Sequence, residues 1–193
     1  KIGELYGKYG LQFLIDRVHA MTGIAIDNYI VASYEQFPGL VDALMPTGVS
    51  VTVPYNISYN YGDKDMSGNL SAGRYLLNGA SALQLLYYDG YTDGVNTRAS
   101  TSLKYVRELF SQYTNITNYA SASKTIVSIV DRCDTDLTKQ QLVESVDMIF
   151  KCASLQIEIN IPTTVQKVGS KVLTVIADEM AIKAFSNYRK IYN

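Results

Sequence analysis

Two hydrophobic periods take turns along this chain, and their order restricts its fold more than any other feature. Val49-Ser50-Val51-Thr52-Val53 repeats every second residue and stops at Pro54, which cannot donate to a strand ladder. Just before it, Leu40, Val41 and Leu44 recur at helical spacing within Glu35 to Met45, where Pro38 is tolerable only in the first turn. Ile26 to Tyr34 is rich in strand formers, so a strand, a helix and a strand follow one another. Tyr55, Ile57, Tyr59 and Tyr61 alternate with polar residues and extend the sheet or form an edge ribbon.

The same reading predicts a helix over Leu11 to Thr22, with Leu11, Leu14, Ile15, Val18 and Met21 on one face and Gly23 as its stop. Asn60 to Gly73, rich in Gly, Asp, Asn and Ser, reads as the longest loop. Asn78 is placed to cap a helix running to Tyr87 or Tyr88 that buries Ala82, Leu83, Leu86 and Tyr87. The next helix buries Leu103, Val106, Phe110 and Tyr113 and turns Lys104, Arg107 and Glu108 away. Ala120 to Arg132 forms another. Thr138 and Gln141 make a capping box for a helix with a Leu142, Val146 and Ile149 stripe. Leu155 to Ile161 alternates as a strand, Val165 to Val168 and Lys171 to Ile176 form a hairpin through Gly169-Ser170, and Asp178 opens a last helix through Ile191. The sum is an α/β chain without repeats or linkers, read as one domain over residues 1–193.

Composition excludes several function classes. With 47% hydrophobic and 18% charged residues, 193 residues can enclose a substantial core. A net charge of -1 and a pI near 5.8 give no general attraction to nucleic acid. No apolar run approaches the roughly 18 residues of a membrane span, and Lys1 is not an initiator Met, so any anchor belongs to a segment upstream. Cys133 and Cys152 flank one expected helix, about 20 Å or more apart, and read as free, buried thiols. His19 stands alone, which leaves no Cys/His zinc set and gives it a structural role. Sixteen tyrosines and no tryptophan suit strands first, and amphipathic, carbohydrate-contacting surfaces second.

Chemistry is restricted in the same way. No GxSxG elbow, Rossmann glycine pattern or Walker motif occurs. Asp63 and Asp65 lack the spaced oxygen ligands and closing Glu of a calcium loop. Asp63, Asp89 and Asp93 leave a carboxylate pair for glycoside hydrolysis open, because sequence gives no separation between them. The stretch Leu85 to Ser100, where a helix breaks into Asp, Gly, Tyr and Asn around the single cation Arg98, is either an anion site or a solvated connection.

Ordered landmarks carry a family resemblance. Gly23-Ile24-Ala25-Ile26-Asp27-Asn28-Tyr29, Phe37-Pro38-Gly39-Leu40-Val41-Asp42-Ala43-Leu44 and Gly48-Val49-Ser50-Val51-Thr52-Val53-Pro54 resemble the LytR-CpsA-Psr family of Gram-positive cell-envelope proteins. Ala72-Gly73, Leu77-Asn78-Gly79-Ala80-Ser81-Ala82-Leu83, Thr135-Asp136-Leu137-Thr138 and Ile161-Pro162 continue the match. The resemblance implies a three-layer α/β/α domain with a central mixed sheet, outside the cytoplasm at the cell surface. It also implies transfer of glycopolymers such as teichoic acid or capsule from a polyprenyl-pyrophosphate carrier to peptidoglycan. Polyprenyl-linked glycan and peptidoglycan are the implied partners and magnesium the implied cofactor.

Against the family's "AYVRYR" and "D-x-G-R-x-x-R-Q" patterns, Tyr87 and Asp89 fall on the two arginines of the first. In the second, Asp93 keeps the acidic place, and Arg98 matches at most one arginine after a one-residue shift. The resemblance therefore implies Asp93 and Arg98 as catalytic candidates, and Tyr87, Tyr88, Asp89, Asn96 and Arg98 as substrate-binding ones, with no metal ligand singled out. Two unit charges about 4 Å apart interact by roughly 4 kcal/mol at an effective dielectric near 20, so replacing Arg by Asp reverses the sign of the pull on a diphosphate. The expectation is weak or absent phosphotransfer through this motif, in a domain that binds lipid or glycan. An active phosphotransferase using other cations is the alternative, and a glycosidase on Asp89 and Asp93 a third reading. The family's earliest Asp and Arg residues lie upstream of the segment that Lys1-Ile2-Gly3 resembles, so an absent segment or a partner chain is expected to supply strands at the N-terminal side.

Overall fold

The computed structural model describes residues 4–62, 66–91, 95–116, 119–153, 163–169 and 171–176. They fold as α/β, in two compact units: residues 1–28 with 157–193, and residues 29–156.

In the first unit, α1 (Leu5–Thr22) starts a turn and a half before the expected Leu11. Gly10, at φ 82°, kinks the helix, and the apolar spacing is regular only after that kink. Gly23 ends it in the left-handed region (φ 67°), its N–H reaching the His19 carbonyl at 2.6 Å. His19 Nδ1 donates to Ile24 O at 2.9 Å, so the lone histidine ties down the chain leaving the helix. The expected C-terminal hairpin is present, with β7 (Thr163–Val168) antiparallel to β8 (Lys171–Ile176) and Gly169 at φ 61° between them. The expected strand over Leu155 to Ile161 and the helix after Asp178 lie outside the described residues.

The second unit runs β1 (Ile30–Val31), α2 (Phe37–Leu44), β2 (Val49–Val53), β3 (Ile57–Tyr61), β4 (Met66–Leu70), β5 (Gly73–Leu77), α3 (Gly79–Tyr87), α4 (Val95–Ile116), α5 (Tyr119–Val130), β6 (Asp134–Thr135) and α6 (Lys139–Ala153). Among the described residues its ladders are antiparallel pairs, β1 with β6, β2 with β5 and β3 with β4. Val49, Val51 and Val53 are buried, as their alternation requires, together with Val41, Ile57, Leu77, Leu85, Tyr105, Tyr113, Ile126 and Val146. Each such aliphatic side chain contributes roughly 1.5–3 kcal/mol. The side-chain amide of Gln112 on α4 accepts from Ser50 N at 2.8 Å and donates to Ser50 O at 2.7 Å, occupying strand groups as a neighbouring strand would.

Four expectations change. The strand over Ile26 to Tyr34 shrinks to two residues, because only Ile30 and Val31 find a partner, in β6. Asn60 to Gly73 is not a long loop: β4 pairs along all of β3, and β5 follows at once. Its polar residues Asn60, Ser67 and Asn69 form the exposed face of the ribbon, and the buried Gly68 leaves room for the Tyr59 ring, whose Cε1 would stand 2.3 Å from an added Cβ. On α3 the fully buried leucine is Leu85, while Leu83 and Leu86 are half-buried. On α4 Tyr113 is buried as expected and Tyr105 is buried with it, while Leu103, Val106 and Phe110 are 39%, 41% and 44% exposed.

The caps hold as read. Asn78 Oδ1 accepts from Ser81 N at 2.9 Å. Thr138 and Gln141 exchange bonds, Gln141 Oε1 accepting from Thr138 N at 2.9 Å and Thr138 Oγ1 from Gln141 N at 3.2 Å. Cys133 is a free, half-buried thiol donating to Ile129 O, and burial pushes its pKa up. The Cys152 and Ile149 side chains lie outside the described residues.

Candidate functional site

α3 stops at Tyr87, and Tyr88 turns to an extended conformation, so the chain leaves the helix here. Around this break the fold gathers tyrosines from four separate segments. Tyr34, in the turn before α2, meets Tyr87 edge-on at 5.0 Å. Tyr59 and Tyr61, two residues apart on one face of β3, lie 4.8 Å from each other and 6.3 and 5.7 Å from Tyr87. Tyr88 contacts Tyr59 at 5.9 Å and Tyr91 at 4.8 Å, and Tyr91 meets Tyr55 at 6.1 Å. Ring contacts of this kind contribute about 0.5–1.5 kcal/mol each beyond burial.

Hydrogen bonds fix the row. Tyr59 Oη donates to Gln84 O at 3.2 Å, Tyr88 Oη to Gly90 O at 2.9 Å, and Tyr61 Oη to Asp89 Oδ1. The bond to Asp89 holds the Tyr61 phenol protonated and pushes its pKa up to about 12. Burial raises Tyr91, with the nearby Arg98 charge pulling the other way. Tyr87 and Tyr91 are only 8% and 7% exposed and form the floor.

Two cavities lie along α4. One, about 240 Å³, is walled by Val51, Thr52, Pro54, Tyr55, Leu85, Thr97, Ser100, Thr101, Lys104 and Tyr105. The Tyr105 hydroxyl on this wall is buried without a hydrogen-bond partner among the described residues, and burial, then the Asp42 charge, raise its pKa. The other, about 210 Å³, is lined by apolar groups of Ile30, Leu44, Leu109, Phe110, Tyr113, Ile126, Ile129, Val130 and Leu142, with Cys133 and Thr135. Thr101 and Leu109, one in each wall, are eight residues apart on the helix, about 12 Å along its axis.

Of the candidates named from sequence, Tyr87, Tyr88 and Asp89 stand together at the end of α3, the first buried, the second half-buried, the third exposed. Arg98 is half-buried on the first turn of α4, and its charge bears on Tyr91. Asp93 and the Asn96 side chain lie outside the described residues, as does Asp63, so no carboxylate separation for glycoside hydrolysis is defined. Among the described residues no group of three or more His, Cys, Asp or Glu side chains gathers, and Asp89 is engaged by Tyr61, so these residues do not by themselves make a magnesium site. Tyr34, Tyr55, Tyr59, Tyr61, Tyr91, Lys104 and Tyr105 were not read as site residues. Alternation puts Tyr59 and Tyr61 on one face, but no local pattern says that Tyr34 and Tyr55 meet α3 and its loop.

Among the described residues no helix is long and apolar enough to cross a membrane. No curated protein matches the chain. Among solved structures, Bacillus subtilis TagV is similar at 18% identity and a TM-score of 0.78, over 98% of this chain and 73% of that one. A transcriptional regulator from Enterococcus faecalis follows at 17% and 0.77, over 98% and 68%. A Streptococcus agalactiae protein is similar at 14% and 0.80, over 98% and 65%. This likeness shows the fold, α/β with a mixed sheet flanked by helices. Residues 1–190 match the LytR_cpsA_psr family model, and the chain belongs to the LytR-CpsA-Psr family of cell-envelope proteins.

Proposed function

We propose that residues 1–193 are a single extracytoplasmic LytR-CpsA-Psr domain at the cell surface that binds polyprenyl-phosphate lipid, or the cell-wall glycan attached to it, with its phosphotransfer site degenerate. The reading rests on the α3 terminus, where by the sequence resemblance Tyr87 and Asp89 fall on two family arginines, and where Asp89 is held by Tyr61. A carboxylate there opposes a diphosphate instead of neutralising it.

A single phosphate has a milder place. The cavity beneath Lys104 offers the Thr97 and Thr101 side chains and a Tyr105 hydroxyl that has no hydrogen-bond partner among the described residues, a set suited to one anionic head group. The apolar cavity farther along α4 suits an isoprenoid tail, each buried methylene contributing about 0.8 kcal/mol. Peptidoglycan and polyprenyl-linked glycan are the partners this implies, with any membrane anchor in a segment outside this chain.

Arg98 supports the rival reading of an active phosphotransferase, since its charge already bears on the loop. Purified protein mixed with magnesium and a polyprenyl-pyrophosphate analogue separates the two. Binding without phosphate release, weakened by Lys104→Ala, supports the binding domain. Phosphate release that disappears in Arg98→Ala replaces it with the enzyme.

A further inference from the structure

We infer that the cleft between the open edge of β2 and α4 is a docking groove for an extended, acidic segment of another protein, which adds to β2 as a short strand. This goes beyond the reading above: the peptide and a phosphate head group share Lys104 and exclude each other.

Main-chain geometry supplies the first argument. Among the described residues β2 pairs on one side only, with β5, setting Ser50 opposite Leu76 and Thr52 opposite Arg74. In an antiparallel pair, successive residues send their backbone groups alternately toward the partner strand and away from it. Gln112 takes both groups of Ser50, so these point away from β5, and those of Thr52, two residues on, point to the same edge. Glu108 accepts from the Gln112 amide at 2.9 Å and steadies it, so this plug covers Ser50 and leaves Thr52 bare. No hydrogen bond among the described residues reaches the Thr52 N–H or carbonyl.

The cavity is the second argument, because it begins at this bare stretch. Thr52 and Pro54 form one wall and Thr97, Thr101 and Lys104 of α4 the other, over a floor that includes the buried Leu85. Its volume is about 240 Å³, and Thr52, Pro54 and Lys104 at its mouth are exposed. An open sheet edge with a pocket beside it is how sheet-edge domains receive an extended peptide, main chain on main chain and a side chain in the pocket.

Chemistry chooses the occupant. A fully ionised phosphate accepts from the Thr52 N–H but has no donor for the Thr52 carbonyl, and an apolar chain would cover both without replacing their water. A peptide supplies a donor and an acceptor at strand spacing. Lys104 is the one cation among the lining residues, so an acidic side chain or terminal carboxylate beside it is favoured and a basic one opposed. Pro54 has no N–H, so the ladder ends there and the added strand is short.

The whole chain would be titrated by calorimetry with a hexapeptide of alternating valine and glutamate, with the same peptide N-methylated throughout, with its lysine counterpart, and separately with polyprenyl phosphate. The glutamate peptide should bind saturably and more tightly than the lysine one, weakened about tenfold or more by N-methylation. Lys104→Ala should weaken it about threefold. Hydrogen exchange at the Thr52 amide, fast in the free chain, should slow when the peptide binds. No saturable binding, an N-methylated or lysine peptide that binds as tightly, or unchanged exchange at Thr52 overturns the groove. Polyprenyl phosphate binding without peptide binding overturns it too and leaves the reading above standing, whereas peptide binding without lipid binding overturns that reading and leaves the groove.

Discussion

Asp42 on α2 accepts the Gly79 N–H at the start of α3 at 2.7 Å, while a Cβ at Gly79 would lie 2.1 Å from the Pro38 carbonyl oxygen. The carboxylate thus supplies a second cap beside Asn78, at the helix end where negative charge is favoured. The absence of a side chain lets the two helices touch through their backbones. Everything presented at the far end of α3 depends on this seat.

Gly79→Ala should therefore destabilise the protein by about 3 kcal/mol or more, because the contacted atoms are backbone and cannot rotate away. Asp42→Ala should cost about 1–2 kcal/mol through the lost cap. Urea unfolding of the two variants measures both, and equal losses would refute the steric argument.

Gln112→Ala should cost about 1–3 kcal/mol, since it leaves both the N–H and the carbonyl of the half-buried Ser50 without their partner. Hydrogen exchange at the Ser50 amide should accelerate, and an unchanged rate would show that the bond is not maintained in solution.

Tyrosinate absorbance should show Tyr61 titrating near 12 in the folded protein. The folded pKa is raised above the unfolded value of about 10, so the Tyr61–Asp89 contribution to stability is complete below pH 10. It is lost as pH climbs from about 10 to about 12. Asp89→Ala should return the phenol toward its ordinary range. A titration unaltered by that change would remove Asp89 as the cause.

Cys133→Phe should fill part of the apolar cavity and reduce binding of polyprenyl phosphate. In the unaltered chain, lipid at a hundred times its Kd should raise stability by about 2.7 kcal/mol. A lipid-dependent rise of the same size in the variant would place the tail elsewhere.

Much of the scaffold could be read locally, because the interactions that decide it are local. The Val49–Val53 alternation, the Asn78 cap, the Thr138/Gln141 box and the Gly169 turn each depend on a few neighbouring residues, and each holds. β3 was legible in the alternation of Ile57, Tyr59 and Tyr61, but its partner β4 was missed because Met66-Ser67-Gly68-Asn69-Leu70 carries no apolar alternation to distinguish it from a loop. On α4 the spacing placed Tyr113 inside, but only packing against α6 and β2 decided that Tyr105 is buried while Leu103, Val106 and Phe110 stay exposed.

By itself the sequence determined the α/β alternation and the helix caps, since period and cap chemistry belong to the residues themselves. Tertiary structure alone decided that Tyr34, Tyr55, Tyr59 and Tyr61 meet the end of α3 and that Lys104 and Tyr105 share a cavity wall. Ring contacts and cavities join segments far apart in the chain, and their geometry exists only once the core has set the distances between elements.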